Sequence, residues 1–178
     1  MAKNSTLVVR LSDGGISIPY QPGSHEDGTT YPYVRLVDQP SAAANIPEVA
    51  EHPFLINFLE KVNQPGQTFE TVRILQGFIE GESTIHVVEV GLIFQDRSRF
   101  AAYHNCMMLA GNLLQEMSSY NDFDPDDPVY FYIERCTLKE EAVQGWVVDL
   151  SLAGTGDSKE SASANLALKL NHLLRVLL

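Results

Sequence analysis

The 178 residues of this chain suffice for one domain with a substantial core, and a hydrophobic fraction of 44% excludes wholesale disorder. With 23 acidic against 12 basic residues, the formal net charge of −11 argues against general affinity for nucleic-acid phosphates or anionic membranes. The two cysteines form no disulfide framework, and no apolar run approaches the roughly 20 residues that span a bilayer. We therefore expect a protein that is cytoplasmic, or carried in a particle assembled there, without a membrane partner or a sequence-specific nucleic-acid partner.

The first half of the chain predicts short strands, an irregular segment and a short helix. Residues 7–20 are expected to form a hairpin, because the Asp-Gly-Gly sequence at 13–15 favours the positive φ of a tight turn. Residues 31–38 predict a strand that is entered through a proline. Residues 21–52 as a whole are the least regular part and predict an extended loop or arm. The apolar face of residues 54–62 predicts a helix.

The second half predicts a regular series of hairpins and helices. In chain order, these are strands 69–79 and 83–94, a helix over about 99–118, strands 129–138 and 145–153, and a last helix that begins at a capping box of Asp157 and Glu160. Strand 83–94 is apolar on both faces, which is typical of a central strand. Because hairpins join most of the strands, residues 1–178 predict a single α+β domain. Its mostly antiparallel sheet has two long helices packed on one face and a short additional helix.

The last helix has an apolar face that consists of leucine. Each buried leucine contributes roughly 1.5–3 kcal/mol, so this face must be covered by its own sheet or by another copy of the chain. Tyr31 and Tyr33 lie in the irregular segment that predicts an arm. The candidate surface for oligomer or partner contacts therefore comprises these two tyrosines and the leucine stripe, which is Leu166, Leu170, Leu173, Leu174 and Leu177.

The sequence predicts no catalytic site, no cofactor and no metal site. Asp122, Asp124 and Asp126 have the alternate spacing of a calcium-binding loop. However, Asp127 occupies the position that needs glycine, and Ile133 occupies the position that needs a bidentate glutamate. A solvated loop between a helix and a strand is therefore expected.

Gly154 and Gly156 lie between a strand and a helix, where backbone amides can bind phosphate. The dinucleotide fingerprint needs a third glycine at the position of Lys159, so we expect a flexible connector instead. The five histidines are dispersed and give no zinc pattern. A Cys–His pair formed across the fold, for instance Cys136 with His86 or His104, has no local signature and stays open.

The run TIHVVEVGLIFQD at 84–96, followed by the helix at 99–117, is similar to the strand–helix unit of phage tail-terminator and tail-completion proteins. The hairpin at 130–154, with its Trp-led return strand, and PYVRL at 32–36 resemble further parts of these proteins. The resemblance implies a non-enzymatic virion structural protein, a ring-forming tail-terminator or head–tail joining subunit. Such a homo-oligomer would contact other tail or neck proteins and would assemble in the host cytoplasm.

Two other classes of function stay open. A small acidic chaperone or immunity-type protein would act as a dimer and hold one partner chain on the same sheet. An enzyme with a non-local active site ranks last, because the spacing suggests neither a nucleophile–base pair nor paired carboxylates.

Overall fold

The computed structural model describes residues 9–19, 33–119 and 129–178. Within these ranges the chain forms five strands, four α-helices and one 3-10 helix. The strands are β1 (Val9–Ile18), β2 (Phe69–Glu80), β3 (Thr84–Phe94), β4 (Tyr130–Leu138) and β5 (Val143–Gly156). The α-helices are α1 (Pro53–Val62), α2 (Arg97–Phe100), α3 (Tyr103–Ser119) and α4 (Lys159–Leu177), and the 3-10 helix spans Pro40–Asn45.

The five strands form one mixed sheet in the order β1-β4-β5-β3-β2. Three neighbouring pairs are antiparallel, but β1 and β4 are parallel, so the expectation of a mostly antiparallel sheet is corrected to a mixed sheet. The cause is the glycine pair near residue 15, for which the sequence predicts a hairpin turn. The chain continues through it as one strand, and the register against β4 shifts between Ser12 and Gly15. A Cβ at Gly15 would lie 3.3 Å from the carbonyl oxygen of Arg135, so glycine allows the close approach at this bulge.

Helix α4 packs directly on the sheet because two glycines of β5 leave room for its backbone. A Cβ at Gly154 would collide with backbone atoms of Ala162 and Leu166, and one at Gly156 would lie 2.6 Å from the amide nitrogen of Ala162. Both glycines belong to β5, so the expectation of a flexible connector is wrong. Their role is to seat α4, and they hold no phosphate-binding loop.

The helix caps differ in part from the predicted ones. Ser158, and not Asp157, caps α4, and its hydroxyl accepts a hydrogen bond from the Ser161 amide at 3.3 Å. The helix predicted over about 99–118 is divided into α2 and α3 at residues 101–102. This division leaves Phe100 fully buried in the space above Gly145, where a Cβ would collide with its ring.

Residues 33–52 pack against the domain and do not project as an arm. Residues 33–38 form a turn without a strand, and the 3-10 helix that follows contacts α1. Leu36, Ala43 and Val49 are exposed by 3% or less. The prolines of this segment remove backbone donors that a sheet ladder needs, so its apolar residues are buried through turns instead. Residues 21–32 of the predicted arm lie outside the described residues.

Candidate interaction surface

The leucine stripe of α4 lies in the core of a single chain. Its residues are exposed by between 0% and 5%, since α4 packs on β5, β3 and α1. Of the two covers that the sequence left open, the chain's own sheet covers the stripe, so the hypothesis that it forms an oligomer or partner interface is wrong. The five leucines are Leu166, Leu170, Leu173, Leu174 and Leu177.

Of the two tyrosines of the predicted surface, the structure describes Tyr33. Tyr33 is half-buried and packs against the core, where it lines a small cavity with Ile18 and Arg35. Tyr31 lies outside the described residues. The packing of Tyr33 against the core gives no support to the oligomer contact expected from it, and the expectation for Tyr31 stays a prediction.

The helices α1, α3 and α4 cover one face of the sheet. Residues 33–38 and α2 cover one end of the other face, and the remainder of that face is partly exposed. Side chains alternate between faces along a strand, so Leu75 and Ile79 of β2 share the face opposite to α4 with Tyr130 of β4. Their exposed fractions are 54%, 59% and 37%. We call this surface the open sheet face. It adjoins β2, which has only β3 as a strand neighbour among the described residues.

A cluster of three carboxylates around one guanidinium lies on the same face. Arg73 donates from Nε to Asp149 Oδ1 at 3.2 Å, and its Nη2 contacts Asp149 Oδ2 as well. The same Nη2 atom lies 3.0 Å from Glu134 Oε1 and 3.5 Å from Glu89 Oε1. We call these four residues the Arg73 cluster. Its three carboxylates exceed its single positive charge, so it makes the open sheet face acidic.

Asp149 is the buried member of this cluster, with 1% exposure. Burial raises the pKa of its carboxyl group to about 6, although the charge of Arg73 opposes that shift. Gly91 makes room for the pair, because a Cβ there would lie 2.8 Å from Asp149 Oδ1. Sequence analysis missed this cluster. Its available signal was Asp149 itself, a charged residue in the middle of the apolar strand GWVVDLSLA.

A second cluster of charges joins distant segments and is balanced. Arg97 pairs with Glu70 and Glu141, each at 2.6 Å, and Arg35 pairs with the same two carboxylates, each at 3.1 Å. Hydrogen bonds from Arg97 lower the pKa of Glu141 despite its partial burial. Two cations therefore neutralise two anions, which favours a structural role in holding residues 33–38 against β2 and α2.

His86 is a satisfied core histidine on the helix-covered face, in agreement with its position among apolar residues of β3. Its Nε2 donates to Gln76 Oε1 at 2.9 Å, so its Nδ1 accepts from the Ser163 hydroxyl at 2.9 Å. Its ring stacks on Phe78 at 4.1 Å and lies 4.9 Å from His52. Burial, with a contribution from His52, lowers the pKa of His86 to about 4, so the neutral ring is held at pH 7.

The two thiols are buried and resist ionisation. Burial raises the pKa of Cys106 and of Cys136 to about 12 in each case. Cys136 pairs with Gly145 of β5, and His86 pairs with Gly154, nine residues further along that strand. This spacing corresponds to about 30 Å and to opposite faces of the sheet, so the open possibility of a Cys136–His86 pair is wrong.

A surface depression lies on the outer side of the helical layer, between the end of α1 and the last turns of α4. Lys61 and Arg175 on its rim are exposed, and Leu168 and Leu178 are 51% and 56% exposed. We call it the helical depression. Its lining consists of Lys61, Leu168, Asn171, His172, Leu174, Arg175 and Leu178.

Within the described ranges, no group of three or more His, Cys, Asp or Glu residues is placed to hold a metal ion. The loop with Asp122, Asp124 and Asp126 lies outside those ranges. None of the described helices is both long enough and apolar enough to cross a membrane.

No protein-family model, curated protein or solved structure matches this chain. The resemblance to phage tail-terminator proteins therefore stays a prediction from the sequence.

Proposed function

We propose that this chain is a non-enzymatic structural subunit that assembles with copies of itself. The observation that carries the proposal is the open sheet face, where Leu75 and Ile79 are exposed by 54% and 59%. A sheet normally buries its aliphatic face against another layer, and exposed patches of this kind are typical of protein–protein contacts. The support for assembly thus comes from the sheet and no longer from the leucine stripe.

The proposed setting is a ring at the end of a phage tail or at a head–tail joint. The resemblance at 84–96 and 130–154 supports it, and in the structure both segments contribute strands to the same sheet. The net charge of −11 would keep an acidic ring from adhering to DNA that passes through it. Such a subunit would contact other tail or neck proteins through the remaining ring surfaces.

The chemistry of the described side chains also favours a non-enzymatic role. Cys106 and Cys136 stay protonated because burial raises the pKa of each thiol to about 12. Both ring nitrogens of His86 are occupied by Gln76 and Ser163 in the interior. Cys136 and His86 were a candidate nucleophile and base of the enzyme hypothesis, and neither is presented to a substrate.

The test is the mass of the purified chain in solution, measured by light scattering over a wide concentration range, together with electron microscopy of the same sample. We expect a defined assembly of more than two subunits with a ring outline. A monomer at high concentration would contradict the proposal. A discrete dimer that co-purifies with one other chain would favour the acidic chaperone or immunity-type protein instead.

A further inference from the structure

The open sheet face and the helical depression carry charges of opposite sign. The sheet face holds the Arg73 cluster, in which three carboxylates surround one guanidinium. The depression carries Lys61 and Arg175, and no Asp or Glu side chain contributes to its lining. Both surfaces also expose large aliphatic side chains. The two surfaces are therefore complementary in charge, and each offers aliphatic side chains that the other can cover.

The positive charges of the depression are not neutralised by ion pairs among the described residues, which is also true of Arg99, Arg135 and Lys139. Arg35 and Arg97 are paired with carboxylates in the balanced cluster, and Lys159 pairs with Glu80 at 2.8 Å. Within the part of the chain that the structure describes, Lys61 and Arg175 form no ion pair. An acidic chain thus leaves two cations unpaired beside the exposed Leu168 and Leu178.

These two surfaces lie on opposite sides of the molecule. Helix α4 packs on the sheet face that Gly154 belongs to, and the depression lies on the outer side of that helical layer. The Arg73 cluster lies on the other face of the sheet. A single chain cannot bring the two surfaces together, so any contact between them joins two molecules.

We infer that the open sheet face of one copy binds the helical depression of the next copy, head to tail. Leu168 and Leu178 would then pack on the aliphatic residues of β2, with Lys61 and Arg175 next to the carboxylates of the neighbouring copy. This inference rests on the proposed function and specifies its interface. A head-to-tail contact repeats from copy to copy and closes into a ring when the rotation between copies allows it.

The alternative twofold contact, sheet face against sheet face, is disfavoured by charge. It would place Glu89 and Glu134 of one copy against the same residues of the other, and like charges brought together across an interface oppose association. The same argument disfavours a twofold contact between two depressions, where Lys61 and Arg175 would face their own copies.

Three variants with the same substitution test the interface. Leu75→Asp alters the open sheet face, Leu168→Asp alters the depression, and Met108→Asp is the matched control. Met108 is 61% exposed on α3, outside both surfaces. Circular dichroism and thermal unfolding first establish that all three variants fold. We expect Leu75→Asp and Leu168→Asp each to weaken self-association at least tenfold, and Met108→Asp to assemble as the wild-type chain does.

Mixing the two assembly-deficient variants then tests the direction of the contact. In a head-to-tail interface, the mixture keeps one intact pair of surfaces, the sheet face of Leu168→Asp and the depression of Leu75→Asp. Light scattering should therefore show a heterodimer in the equimolar mixture and monomers in each variant alone.

The possible outcomes separate this interface from the proposed function. A wild-type chain that stays monomeric contradicts both. A wild-type assembly that neither Leu75→Asp nor Leu168→Asp weakens leaves self-association intact and overturns the interface. Two monomeric variants whose mixture also stays monomeric overturn the head-to-tail arrangement.

Discussion

Truncation of the leucine stripe tests whether its contacts are within one chain. Leu166 and Leu173 are both exposed by 0%. Replacement by alanine removes three carbon groups, which is about 2.4 kcal/mol at roughly 0.8 kcal/mol for each. The cavity left behind adds to this loss, so we expect each variant to lose about 3–4 kcal/mol of unfolding free energy. Met108→Ala, at an exposed position of α3 outside both surfaces, should change it by less than about 0.5 kcal/mol.

The assay is urea unfolding followed by circular dichroism at two protein concentrations a hundredfold apart. Because the stripe packs inside one chain, the loss relative to the wild type should be the same at both concentrations. A stripe that formed an interface between copies would instead give a loss that depends on concentration, as dissociation would precede unfolding. Such a dependence, or a loss below about 1 kcal/mol for the Leu166 and Leu173 variants, would refute the intrachain packing.

Three further predictions concern the glycine seat, the buried histidine and the Arg73 cluster. Gly154→Ala should cost about 3 kcal/mol, since its Cβ meets the α4 backbone. In contrast, Gly111→Ala in α3, with nothing within 4 Å of the added Cβ, should stabilise the chain by about 0.5–1 kcal/mol. Equal effects of the two substitutions in urea unfolding would contradict the close packing. The pKa of His86 is lowered from 6.5 to about 4 in the folded chain, so the unfolded chain takes up the proton first. The contribution of neutral His86 to stability should therefore be lost as the pH falls from 6.5 to 4. His86→Gln should remove this part of the pH dependence. If the unfolding free energies of the wild type and of His86→Gln change with pH in parallel, His86 makes no such contribution. Arg73→Met leaves three carboxylates without their cation and should cost about 3–5 kcal/mol at pH 7. That loss should shrink at pH 4.5, where Asp149, whose pKa is raised to about 6, is protonated. Thermal unfolding that shows equal losses at both pH values would contradict the role of Arg73.

Local patterns in the sequence predicted the elements whose partners are close along the chain. The hairpins β2–β3 and β4–β5 and the helix α1 lie where alternation and helical spacing indicated, because each is specified by adjacent residues. The parallel pair of β1 and β4 joins Val9 to Phe131, and no local pattern specifies a contact at that separation. The glycines near residue 15 were ambiguous because a bulge and a tight turn both favour glycine.

The prediction of an interaction surface on the leucine stripe was wrong for a related reason. The leucine pattern required that the stripe be covered, but it left open whether the sheet or another copy covers it. Gly154 decides the question, since it lets the α4 backbone lie against β5 and thereby bury Leu166 and Leu173 within the chain. The Arg73–Asp149 pair could not be predicted from local sequence patterns either, because the two residues are 76 positions apart and are brought together only by the order of the strands.

The charge of the whole chain limits how its copies can associate. At a net charge of −11, two copies repel each other over a distance of about 10 Å at moderate ionic strength. A twofold contact through the open sheet face would place two acidic clusters against each other and increase this repulsion. A head-to-tail contact places the acidic cluster beside Lys61 and Arg175, so the unfavourable charge is locally compensated. For an acidic subunit with one acidic and one basic side, repeated head-to-tail association is therefore the arrangement that electrostatics favours, and it gives a closed ring when the rotation between copies closes.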